Sequence, residues 1–200
     1  MKNIFLLLLL SVFFFRAQAQ DFSKNLTAAR TAYTAGNLGN SRFAMEQMLR
    51  EIDAAIGKDI LKLLPTKMDA LTANTKDDNT TGSGSTGGMG LFVQRTYGTG
   101  AKTASIDVIN NSPLINSLNT FLAIPFVGNS GDGKQKVVKV QGYKAVLYKN
   151  EDTETKKVNY DLQIPMQNTL VNLKMDDTKE ADILRLADTI PLEKIAQLAK

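Results

Sequence analysis

Chemistry in this chain has to come from carboxylates, hydroxyls, amines and phenols, because its 200 residues contain no histidine and no cysteine. Histidine is the commonest general base near neutral pH and the commonest zinc ligand. A Ser-His-Asp triad, a Cys-His dyad and a histidine-bound metal centre are therefore excluded. The histidine-free Ser-x-x-Lys pair does not occur either. That leaves the 20 Asp and Glu residues, two of which a fold can bring together as in glycosidases. No spacing singles out such a pair, so the expectation is a protein that is not an enzyme.

Three stretches resemble ligand sites in composition. Asn129-Ser130-Gly131-Asp132-Gly133 suggests a calcium loop, but calcium takes six or more oxygens at defined spacing and Asp132 is the only carboxylate. Glu151-Asp152-Thr153-Glu154 is richer in acids, yet Lys156-Lys157 follows closely and a solvated turn fits better. Gly82, Gly84 and Gly87 match G-x-G-x-x-G, but no apolar strand precedes them and no Gly-Lys-Ser/Thr ends the run. The expected metal and cofactor complement is none. Tyr143, Tyr148 and Tyr160 sit on adjacent predicted strands and form the candidate partner or ligand surface. Packing under a helix is the competing role for them.

The elements that would position these residues follow from periodicity. Phe22, Leu26, Ala29 and Tyr33 recur at helical spacing, and Gly36 to Asn40 breaks the pattern. A longer helix is expected from Ser41 as N-cap, with an apolar stripe of Met45, Met48, Leu49, Ile52, Ile56, Ile60 and Leu63. Pro65 ends it. Residues 72–90 are almost all Thr, Asn, Asp, Gly and Ser, the composition of a flexible linker or long loop. From Leu91 the pattern turns to period two. Strands are expected at 91–97, 103–110, 136–141, 144–149, 157–164 and 169–175, with a helix after Ser112-Pro113 and two more at the C-terminus.

The expected fold is α+β: an N-terminal helical hairpin, then an antiparallel sheet with one crossing helix, the helices covering one face. The expected division is 1–19 leader, 20–71 hairpin, 72–90 linker and 91–200 α+β domain. Within the last part, Val140-Gln141-Gly142-Tyr143-Lys144-Ala145 leads into two antiparallel strands, and a helix from Glu180 ends in Ala187-Asp188-Thr189-Ile190. This order resembles a PsbP-like α/β module of small exported bacterial proteins. The resemblance implies an accessory or binding subunit, and carries over no site residue.

Met1-Lys2-Asn3, the apolar run Ile4 to Phe15 and Ala17-Gln18-Ala19 follow the order of a secretory signal cleaved after Ala19. A twelve-residue run interrupted by Ser11 is short of the roughly 20 apolar residues that span a bilayer, so no integral membrane segment is expected after cleavage. Absence of cysteine fits a bacterial periplasmic or secreted protein. Lys and Arg number 24 against 20 acids, and Lys2 and Arg16 leave with the leader. So small a basic excess argues against nucleic acid. The expected function is an exported, non-catalytic binding or accessory module for a protein partner in the cell envelope. A small-ligand carrier with a cleft between sheet and helices comes second, and a carboxylate-based hydrolase third.

Overall fold

The computed structural model describes residues 21–82, 90–100, 102–124 and 133–199. The expected leader and the loop at Asn129–Asp132 lie outside them.

Two helices open the described chain: α1 at residues 21–34 and α2 at Leu38–Leu63. Gly36, at φ +75°, makes the tight reversal between them. Asn37 rather than Ser41 caps α2, its Oδ1 accepting from Asn40 N–H at 3.1 Å. Ser41 is instead buried, and its hydroxyl donates to Ala29 O of α1 at 3.0 Å. Small residues therefore set the contact: Ala29, Ser41 and Ala44 are the buried residues of the hairpin's outer half. Close helix approach through small side chains leaves the larger apolar ones on the outside.

Past α2 the chain forms β1 (Lys67–Met68), β2 (Leu71–Thr72), a 3-10 turn (Thr75–Asp77) and β3 (Asn79–Thr81). Then come β4 (Phe92–Thr99), β5 (Lys102–Asn110), α3 (Leu114–Ala123), β6 (Gln135–Val140), β7 (Tyr143–Glu151), β8 (Val158–Met166) and β9 (Thr169–Met175). Helices α4 (Glu180–Ala187) and α5 (Leu192–Leu198) follow. The main sheet has the order β3-β4-β5-β9-β8-β7-β6, antiparallel throughout. The fold class is α+β, as the periodicities indicate.

The linker expectation is corrected for residues 72–82. Thr72 belongs to β2, Ala73 bridges Tyr97, and β3 is the edge strand beside β4. Polar partners order this tract where apolar burial cannot. Asn74 Nδ2 donates to Gly98 O at 2.8 Å, and Asp78 takes two hydrogen bonds from Arg95. Thr80 packs against Gly57 of α2, where an added Cβ would lie 3.0 Å from the Thr80 methyl. The remainder of the expected linker, 83–89, is outside the described residues.

The expected placement of the crossing helix α3 on the same face as the C-terminal helices is also corrected. One core cluster joins Ile60 of α2, Leu64 just past its end, Ile106, Leu162 and Leu173 of the sheet, and Ile183 and Ile195 of α4 and α5. A second joins Ile115, Leu118 and Leu122 of α3 to Val146 and Leu170. Val146 lies between Ala145 and Leu147 in sequence, so successive residues of β7 point into different cores. Strands β7 and β9 place buried apolar residues on both sides, Ala145 and Val171 in the larger cluster and Val146 and Leu170 in the smaller, because both sides are covered there.

Candidate functional site

The sheet face that carries α3 also carries a polar row. Cross-strand pairing sets Gln94 of β4 beside Asp107 of β5, Asp107 beside Asn172 of β9, and Asn172 beside Gln163 of β8. One step along, Thr96, Ser105, Lys174, Asp161 and Tyr148 line up in the same way. Strand alternation places Ser105, Asp107, Asp161 and Gln163 on the hydrophilic side, which periodicity alone assigns to solvent. Asp107 and Asn172 are nevertheless buried, at 6% and 7% exposure.

Burial decides the electrostatics of this row. It raises the Asp107 carboxyl above its ordinary value, partly offset by the Gln94 hydrogen bond at 2.8 Å and by Lys174, whose Nζ is 3.9 Å from Oδ2. Asp161 is raised for the same reason, lowered by Lys174 and Gln163, and raised further by the Asp107 charge. Asp161 Oδ1 and Asn172 Oδ1 are buried without a hydrogen-bond partner. Asp107 and Asp161 are acids that sequence spacing did not single out. Their signal was four strands with polar residues on the same face, which becomes visible only once the strand order is known.

The arrangement disfavours the charged form of both carboxyls. Among the described residues no cluster of three or more acids is placed to hold a metal ion. A raised carboxyl pKa means the folded state binds more protons than the unfolded one. Stability therefore falls as pH rises from the ordinary carboxylate range through the raised value. Asp161→Asn is expected to equal or exceed the parent in urea midpoint at pH 7, and the difference should close at pH 4. A loss of more than about 1 kcal/mol at pH 7, the usual cost of a lost hydrogen bond, would show that the Asp161 charge is structurally required.

The candidate tyrosines do not share one surface. Tyr160 is buried in the larger core, with Leu162 and Ile164 of the same strand face. Tyr143 leans on that core too, and its hydroxyl donates to Glu193 Oε2 of α5 at 2.9 Å. Tyr148 lies on the opposite face against the α3 cluster. Packing accounts for all three. In the acidic turn, Asp152 Oδ1 accepts from the Glu154 and Thr155 amides at 2.9 and 2.8 Å, which holds its pKa down. That carboxylate closes the β7–β8 connection. Of the glycine run only Gly82 is described, pressed against the Arg50 backbone.

The hairpin presents the other surface. Seven of the ten large apolar side chains exposed among the described residues lie on it: Leu26, Tyr33, Leu38, Phe43, Met45, Leu49 and Ile52. On one side an open groove of about 810 Å³ runs between Ala28, Thr31 and Ala32 of α1 and Asn40, Phe43 and Ala44 of α2. Met45, Leu49 and Ile52 do not line that groove and form a separate stripe. The expected apolar stripe of α2 is thus split: Ile60 is fully buried, and Met45, Leu49 and Ile52 are exposed.

No helix among the described residues is long and apolar enough to cross a membrane. In comparison with protein-family models, curated proteins and solved structures, the chain matches none of them.

Proposed function

We propose that this protein is an exported, non-catalytic binding module that engages a protein partner in the cell envelope through its helical hairpin. The observation that carries this reading is the concentration of exposed apolar side chains on α1 and α2. Exposed apolar residues scattered singly are ordinary, but a contiguous patch marks an interaction surface. The sheet end is built as a rigid base, with α2 running from its core out to the hairpin tip. The resemblance of the C-terminal part of the chain to PsbP-like modules supports the same reading, as do the leader-like residues 1–19. Both spaces between sheet and helices are filled by buried side chains, which favours a partner over a small ligand held in such a cleft. Asp107 and Asp161 are the residues a carboxylate hydrolase would use, and they sit on neighbouring cross-strand rows of one sheet face rather than across a cleft from one another.

Photo-cross-linking residues placed at Phe43 or Ala28, with Lys139 on β6 as control, test this in the native cell. The chain recovered from the envelope or medium should have the mass of residues 20–200 and give discrete protein adducts at the hairpin positions. A chain that keeps Met1, or adducts no different from those of the control, would overturn the proposal.

A further inference from the structure

We infer that the exposed stripe of α2 pairs with the same stripe of a second copy of this chain, the two helices running antiparallel. This rests on the reading of the hairpin as a docking surface and names its occupant.

The stripe is a heptad seam. Residues 38, 45, 52 and 59 recur every seven positions, as do 42, 49, 56 and 63 four residues later. They read Leu38, Met45, Ile52, Asp59 and Arg42, Leu49, Ile56, Leu63. Leu38, Met45, Leu49 and Ile52 are exposed, while Ile56 and Leu63 are half-buried against the chain's own core. Each series holds one charge, at opposite ends of the seam. An antiparallel pair centred between Arg50 and Glu51 sets Leu49 against the partner's Ile52 and Met45 against the partner's Ile56. In the same register Arg42 meets the partner's Asp59, and Leu38 meets the partner's Leu63. Every layer is then apolar on apolar or positive on negative.

Other registers fail on charge. A parallel pair places Arg42 on Arg42 and Asp59 on Asp59. Sliding the antiparallel pair by one heptad puts Leu49 on Asp59 in one direction and Arg42 on Ile52 in the other. Among the described residues Arg42 and Asp59 make exposed pairs in their own chain, Arg42 with Glu46 at 3.0 Å and Asp59 with Lys62 at 2.7 Å. Such pairs contribute little and exchange freely. Each α1 would flank the seam, giving a four-helix bundle between two sheet domains.

The absence of cysteine makes single-cysteine variants clean reporters. Full chains carrying Met45→Cys and Ile56→Cys, as processed by the cell and purified, are mixed and oxidised. The 45–56 disulfide should form in preference to 45–45, because the two Met45 positions would lie about 16 Å apart at 1.5 Å per residue. Sedimentation should show a dimer. Arg42→Glu and Asp59→Arg should each weaken it by about tenfold or more, and together restore it. A monomer at every concentration, a preferred 45–45 disulfide, or a dimer unaffected by either reversal would overturn the inference. If the chain is monomeric yet the groove positions still cross-link to a different envelope protein, self-pairing falls and the docking reading stands. If neither occurs, both fall.

Discussion

Arg95→Ala is expected to destabilise the protein by about 3–5 kcal/mol, the range for removing one partner of a buried ion pair. Arg95 is the one buried cationic residue among the described residues. Its Nε and Nη2 donate to Asp78 Oδ1 and Oδ2 at 2.8 and 2.5 Å, a two-pronged match that a guanidinium makes and an ammonium does not. Its Nη1 donates to Leu64 O at 3.2 Å, just past the end of α2. One residue pair along β4, Tyr97 donates to Pro65 O at 3.0 Å. β4 thus holds the end of α2 and the 74–78 tract at once. Truncating Arg95 strands the Asp78 carboxylate, whose side chain is only 14% exposed. Urea unfolding measures the loss. A change under about 1 kcal/mol, the worth of a surface pair, would mean that water replaces the arginine without cost. Replacing both partners, Arg95→Met with Asp78→Leu, should recover much of the stability, because no uncompensated charge remains.

Ile60→Ala should cost about 2–5 kcal/mol, the usual range for such a truncation in a closed core. Phe43→Ala, in the same helix, should change stability by no more than about 0.5 kcal/mol, as surface substitutions do. Ile60 is wholly buried and Phe43 is 61% exposed. The contrast measures where α2 stops being part of the main core. Because Ile60 shares a cluster with Ile106, Leu173 and Ile195, its truncation should shift one cooperative transition. Helix dichroism and the fluorescence of the sheet tyrosines should report the same midpoint. Helix signal lost well before sheet signal would mean that the hairpin unfolds as a unit of its own.

Local periodicity was enough to place the strands from β4 to β9 and the helices α3, α4 and α5, because alternation and 3.6-residue spacing are properties of neighbouring residues. The break between the strands at 136–141 and 144–149 was legible as well, but the turn also takes in Gln141, which like Gly142 is at positive φ. Composition alone excluded histidine and cysteine chemistry. Tertiary structure decided the rest, wherever the partner is far along the chain. Asp78 and Arg95 are 17 residues apart and Asn74 and Thr96 are 22 apart, so a tract that reads as linker becomes an edge strand held by distant donors. β9 inserts between β5 and β8, and only that order assembles Gln94, Asp107, Asn172 and Gln163 into one row. α3 lies across the face opposite α4 and α5, which alternation along a strand cannot assign. Met45, Leu49 and Ile52 belong to the same apolar stripe as Ile56, Ile60 and Leu63, yet only the last three meet the chain's own core. A hydrophobic pattern identifies a face that can be covered, and only the folded chain shows which part of that face it covers itself.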